Sequence, residues 1–367
     1  MKAISYGNSY EIFDDTLKTY DRLPVQNYIV RFSQNKGFYL EKYPDFEIRE
    51  SKIYGVHLEK IQKVMDTYED FERNLGVILS GDKGIGKSLF AKLLAIEARK
   101  KGYPLIVIDQ FVPGIASYLE TIEQEVVILF DEFDKTFAGN QSSDGVTPQS
   151  SMLSLFDGLS VGKKLFVITC NQLSMLNDYL VNRPGRFHYH FRFDYPGPDE
   201  ITTYLKDKID SRYYDEIPGV VIFSKKVNLN YDCLRAIAFE LAKGRCFKEA
   251  IRDLNIVNVE RNQYDVVLHY KNGMQGYANS VCIDLFDDGL KRVYLYSDKG
   301  ENFVDVTFNT SNCKYDPELG ANVISAAQLS LSYCEDDFEE TVKKAQASEP
   351  EYLRITRVKA KELHYAV

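Results

Sequence analysis

The stretch GVILSGDKGIGKSLFAKLLAIEARKK, residues 76–101, decides how the chain is read. Its centre, GDKGIGKS (81–88), fits the pattern G-x-x-x-x-G-K-[ST]. An apolar run precedes it and a helix-forming segment follows, which is the strand–loop–helix setting the pattern needs. Glycines let backbone N–H groups turn inward around a phosphate, and the following helix N-terminus favours an anion. Gly81, Asp82, Lys83, Gly84, Ile85, Gly86, Lys87, Ser88 and Leu89 are therefore candidate nucleotide-binding residues. Lys87 brings positive charge to the terminal phosphates, and Ser88 offers a hydroxyl to Mg²⁺.

Working outward, the runs GVILS (76–80), PLIVID (104–109), VVILF (126–130), KLFVIT (164–169) and HYHFRF (188–193) alternate with helical stretches. Near-continuous apolar runs separated by helices predict a parallel sheet covered on both faces. The run at 126–130 ends in Asp131-Glu132-Phe133-Asp134. Asp131 at the strand tip is a candidate Mg²⁺ residue, Glu132 a candidate for polarising the attacking water, and Asp134 reads as a structural or surface acid. The extra strand PLIVID between these two motifs, with a Glu after the metal Asp, points away from metabolite kinases and towards enzymes that use ATP hydrolysis to drive motion. Asn171, just past KLFVIT, is a candidate for orienting that water. NRPGRFHYHF (182–191) sets Arg183 and Arg186 around a Pro-Gly turn.

Taken in order, GDKGIGKS, ILFDEFD, ITCNQ and RPGRF resemble the AAA family of the AAA+ ATPases, over about residues 52–255. The stretch from MLSLFDG to RPGRF is most similar in feel to the branch of the mitochondrial Bcs-type translocases. The resemblance implies ATP and Mg²⁺ as cofactors and a homo-oligomeric, hexameric ring. It also implies that Arg183 and Arg186 are arginine fingers acting on the neighbouring subunit's site, and that Tyr54 and Gly55 lie at the adenine end. Arg245 and Lys248 lie near the place where AAA+ relatives carry a sensing cation on a later lid helix. Phe111-Val112-Pro113-Gly114 is only a loose counterpart of the aromatic loop used by threading members.

The fold class expected is α/β, a P-loop AAA+ parallel sheet with helices on both faces. The expected divisions are an N-terminal β segment (1–51), the nucleotide-binding subdomain (52–198), a helical lid (199–255) and a β-rich C-terminal domain (256–367). In the first of these, QNYIVRF and GFYLEKY flank SQNK as a hairpin. Helical spacing of Val56, Ile61, Val64, Met65 and Tyr68 marks a helix after it. In the last, YDVVLHY, KRVYLYS, NFVDVTF and YLRITRV alternate, with turns expected at NG (272–273) and DDG (287–289). GNQSSDGVTPQSS (139–151) reads as a polar loop and EDDFEE (335–340) as a solvated acidic face.

The chain has 367 residues with 45 Lys and Arg against 54 Asp and Glu, a net charge of −9. That balance argues against a general nucleic-acid coat and leaves a local basic pore open, so a nucleic-acid partner is not expected. The six cysteines, at 170, 233, 246, 282, 313 and 334, form no CxxC pair, so neither a zinc site nor a disulfide framework is indicated. No apolar run approaches a membrane span or a signal core. Cytoplasmic localisation is expected, that of a bacterial host if the Tyr-rich, Trp-free chain is phage-encoded. The function expected is a ring-forming ATPase that remodels or assembles a protein client. A DNA-directed AAA+ ATPase of clamp-loader or initiator type, and a nucleotide-gated scaffold, are the alternatives.

Overall fold

A computed structural model describes residues 1–48, 52–54, 57–139, 147–157, 162–256, 263–285, 289–316, 318–334 and 339–358. Gly55, Val56, most of the 139–151 loop, residues 287–288 of the DDG turn and residues 335–338 of the acidic run lie outside them. The chain divides into two compact units, Met1–Asp207 with Leu229–Arg235, and Lys208–Asn228 with Ala236–Val367.

In the first unit, β1 (Lys2–Tyr6) and β2 (Ser9–Phe13) form a two-stranded hairpin by themselves. Seven strands make the main sheet: β3 (Asn27–Ser33), β4 (Gly37–Lys42), β5 (Leu75–Ser80), β6 (Leu105–Ile108), β7 (Val126–Phe130), β8 (Lys164–Cys170) and β9 (Tyr189–Arg192). Their order is β4-β3-β6-β7-β8-β5-β9, and every neighbouring pair is parallel except the β3–β4 hairpin. All five predicted apolar runs are parallel strands of this sheet. Alternate residues feed two cores: Ile78, Ile128, Phe130, Phe166 and Ile168 pack on one face, and Val77, Leu79, Val127, Leu129 and Val167 on the other. This is why the strands read as continuous apolar runs rather than alternating ones.

Helix α1 (His57–Asp70) buries Ile61, Val64, Met65 and Tyr68 as its spacing predicts, and with α2 (Lys87–Lys100) covers the second face. The short helices α3 (Ile115–Glu120), α4 (Phe133–Thr136) and α5 (Leu153–Phe156) cover the first. The predicted hairpin at 27–42 does not belong to a separate N-terminal segment. Tyr28, Ile29 and Val30 are each at most 6% exposed, and β3 extends the parallel sheet beside β6. Burying three large side chains at ~1.5–3 kcal/mol each favours docking over a free-standing hairpin.

Helix α6 (Pro198–Lys208) closes the first stretch, and α7 (Ile217–Ser224), α8 (Tyr231–Ala242) and α9 (Phe247–Asp253) follow. The second unit joins much of this helical block to the β-rich tail, where a division at 255 was expected. Arg357 Nη1 donates to Asn228 Oδ1 at 2.5 Å, and Lys225 lies 5.9 Å over the Tyr315 ring.

The tail holds β10 (Gln263–Tyr270), β11 (Gln275–Cys282), β12 (Leu290–Tyr296), β13 (Asn302–Asn309), β14 (Lys314–Asp316), β15 (Ala321–Ser325), β16 (Ser330–Tyr333), α10 (Glu339–Gln346) and β17 (Pro350–Arg357). They form an all-antiparallel sheet in the order β14-β15-β17-β10-β11-β12-β13-β16. Tyr264, Leu268, Leu295, Phe303, Ile324 and Leu353 are among its core residues.

Candidate functional site

In parallel sheets the chain ends of the strands form the crevice where ligands bind. Here β5, β7 and β8 deliver the P-loop, Asp131-Glu132 and Asn171 to the same end. The P-loop turns at Gly84 and Gly86, both with positive φ (75° and 104°). Gly86 is the N-cap of α2 and provides no side-chain cap, so the first amides of that helix have no side-chain acceptor. Lys87 is 7% exposed. Its ammonium donates to the Gly81 carbonyl at 2.5 Å, the Asp82 carbonyl at 2.6 Å and Asn171 Oδ1 at 3.0 Å. Burial pushes its pKa down, opposed mainly by nearby acidic groups. A buried cation with three neutral acceptors, beside uncapped helix amides, fits a phosphate group. Ser88 is exposed at the helix start, available to a metal ion together with Asp131.

Glu132 has left-handed backbone angles, φ 47° and ψ 49°, uncommon for a residue with a side chain. The turn lifts its carboxylate off the end of β7. Lys135 Nζ donates to Glu132 Oε1 at 2.5 Å and Asn171 Nδ2 to the same oxygen at 3.3 Å. Asn171 therefore bridges the P-loop lysine and Glu132, which unites the three sequence-predicted groups in one network. The Lys135 hydrogen bond, and then that of Asn171, hold the Glu132 carboxyl below its ordinary range. Removing the Lys135 ammonium removes the main charge that favours the ionised form, so the Glu132 pKa rises. In Lys135→Ala the acid limb of the pH–rate profile for phosphate release should move to higher pH; an unmoved limb would dissociate Glu132 from that titration.

Two supporting residues shape this site. Thr169, 1% exposed, donates from Oγ1 to Asp131 Oδ1 at 2.7 Å and accepts the Glu132 N–H at 2.8 Å. One buried hydroxyl thus orients both acids. Its signal in the sequence is a lone polar residue in an apolar strand. Asp134 is a structural acid: it is 4% exposed, and its Oδ2 accepts the N–H groups of Asn171 and Gln172, both at 3.0 Å.

Tyr54 lies with its ring 5.2 Å from Tyr204 and 6.4 Å from Tyr231, and its hydroxyl donates to Asp207 at 3.1 Å. The Tyr54 carbonyl contacts His57 Nδ1 at 2.9 Å. Gly55 lies outside the described residues. The start of α8 meets the P-loop directly: Tyr231 N–H donates to the Gly84 carbonyl at 3.1 Å and Asn230 Nδ2 to the Lys83 carbonyl at 3.2 Å. A Cβ on Gly84 would lie 2.5 Å from Asn230 Nδ2. Arg245, near the place of the sensing cation that the AAA branch commonly lacks, is paired with Glu240.

Arg183 and Arg186 do not join Lys87, Asp131 or Glu132 of their own chain in any described contact. Arg186 makes a two-pronged pair with Asp157 and donates to the Tyr179 carbonyl at 2.6 Å. Arg183 is exposed, with its guanidinium 5.6 Å over the Tyr179 ring. Phe111 of the expected threading loop packs inward, its ring 5.4 Å from Phe137.

Residues 77–195 match the sequence model of a family described as "ATPase family associated with various cellular activities (AAA)". The chain is 27% identical over 229 residues to an ATPase family AAA domain-containing protein of Arabidopsis thaliana, covering 52% of this chain and 18% of that protein. It is 26% identical over 238 residues to a proteasome-associated ATPase of Salinispora arenicola, covering 53% and 38%. It is 24% identical over 219 residues to an "AAA ATPase forming ring-shaped complexes" of Corynebacterium jeikeium, covering 54% and 40%. The chain thus spans less than half the length of these relatives.

Proposed function

Because the chain carries an ATPase domain of the AAA family, we propose that it is a ring-forming ATP hydrolase that remodels or assembles a protein client. The observation that carries this reading is the Lys87–Asn171–Glu132 network, which ties the phosphate-binding cation to an ionised carboxylate at the end of β7. A nucleotide-gated scaffold needs the first of these groups and has no use for the second.

In this reading ATP lies along the P-loop, with its base end towards Tyr54 and its phosphates at Lys87 and the α2 amides. Ser88 and Asp131 would hold Mg²⁺, which would neutralise phosphate charge. Glu132 accepts a proton from the attacking water, Asn171 fixes the carboxylate that does so, and Thr169 keeps both acids in place. The ring, hexameric by family expectation, is supported by the relative named for ring-shaped complexes and by two arginines that, among the described residues, contact Asp157 and Tyr179 rather than Lys87, Asp131 or Glu132 of their own chain. Among the described residues no helix is long and apolar enough to cross a membrane. Cytoplasmic action on a client recognised by the β-rich unit completes the proposal.

The experiment is phosphate release per subunit against protein concentration, with sizing in ATP. Turnover should rise as assemblies form, because each pocket is completed by its neighbour. Concentration-independent turnover by a demonstrable monomer would remove the ring.

A further inference from the structure

The sheet of the β-rich unit is sparsely paired at one seam. Strands β10 and β11 share six ladder pairs and β12 and β13 share seven, yet β11 and β12 share only Tyr277–Tyr296. The seam coincides with a bulge: the β10–β11 register shifts between Tyr264 and Val266, Ser280 has φ 55°, and its N–H donates to Asp265 Oδ1 at 3.0 Å. Between β11 and β12 lies a groove of about 560 Å³ lined by Tyr277, Asn279, Arg292, Tyr294, Tyr296 and Asp298. That volume lies within the ~300–1,000 Å³ of ligand clefts.

Backbone phase shows what faces the groove. Tyr270 N–H bonds the Met274 carbonyl and Ser297 N–H the Glu301 carbonyl, which sets the hydrogen-bonding side of each hairpin. Counting by twos, Gly276 and Ala278 bond towards β10, and Val293 and Leu295 towards β13. Asn279, Arg292 and Tyr294 therefore turn their N–H and C=O groups into the groove. Two strand edges that face each other across a single ladder pair suit a polypeptide backbone, which can pair with main-chain groups on both sides. Arg292 is already engaged by Asp305 at 2.6 Å, so the side chains left to select an occupant are chiefly tyrosines.

We propose that this groove binds an extended segment of a partner protein by strand addition, with alternate aromatic or β-branched side chains lying on Tyr277, Tyr294 and Tyr296. The assignment deepens the reading of this unit as the client-recognition part and rests on it.

The test uses the full chain and a phage-displayed random dodecapeptide library. Enriched peptides should lose binding, by at least tenfold, when N-methylated at every second residue. They should slow amide exchange at Asn279, Arg292 and Tyr294, and bind Asn279→Pro and Tyr294→Ala weakly while both variants keep wild-type melting and basal phosphate release. No enrichment, tolerance of N-methylation at all positions, or unchanged exchange at those amides would overturn the proposal. So would competition by free nucleotides, or loss of self-assembly in Asn279→Pro, which would assign the groove to a second copy. Lys87→Ala separates the two readings: it should bind the peptides as wild type does. Peptide binding by a wild-type chain without ATPase activity would leave the groove standing and remove the enzyme reading.

Discussion

Glu132→Gln should bind ATP as the native chain does and release phosphate roughly 10²–10⁴ times more slowly, the scale of a lost general base. The substitution keeps the volume and one oxygen of the side chain, so Asn171 Nδ2 and Lys135 Nζ still find an acceptor. The backbone tie from Glu132 N–H to Thr169 Oγ1 does not depend on the side chain. What disappears is the negative charge that takes the proton. Fluorescent-nucleotide titration and phosphate release, measured on the same preparation, read binding and chemistry separately. Lys87→Ala is the contrasting variant: it removes the cation that the P-loop carbonyls and Asn171 hold in place, and should lose nucleotide binding itself. Equal turnover in Glu132→Gln and the native chain would refute the role of Glu132.

The groups this prediction uses were legible because each sits in a local pattern. The P-loop is one continuous stretch, and Asp131, Glu132 and Asn171 follow apolar runs whose length marks them as buried strands. Their partners were not legible, because long-range register creates those contacts. Thr169 reaches Asp131 only because β7 and β8 are neighbours in parallel register. Asn230 reaches the P-loop from far along the chain, and no local spacing signals it. The hairpin at 27–42 was recognisable as a hairpin, but alternation does not say which sheet a strand joins. In the tail, the alternating runs announced antiparallel strands. The sparse pairing between β11 and β12 coincides with a bulge at Ser280, and alternation within a strand does not signal where its neighbour pairs poorly.

Arg186→Ala should reduce phosphate release by a factor on the order of 10³–10⁵ if its guanidinium stabilises charge on a neighbouring subunit's phosphates. Within its own chain Arg186 is held by the Asp157 carboxylate and the Tyr179 carbonyl, and its side chain is 11% exposed. The same arrangement suits a structural clamp, so loss of activity by itself does not establish action in trans. Mixing does. A Lys87→Ala subunit offers an intact arginine and a dead pocket; an Arg186→Ala subunit offers the reverse. In an equal mixture of randomly assembled rings, about a quarter of the interfaces join an intact pocket to an intact arginine. Activity should therefore reappear on mixing two inactive proteins, and should require concentrations at which sizing shows assembly. A clamp whose loss merely loosened the β9 end of the sheet would damage every Arg186→Ala pocket equally, and mixing would restore nothing. Arg183, exposed over the Tyr179 ring, provides the internal comparison. If Arg183→Ala rather than Arg186→Ala is the variant that Lys87→Ala rescues, the finger is Arg183 and the Asp157 pair is a scaffold that presents it.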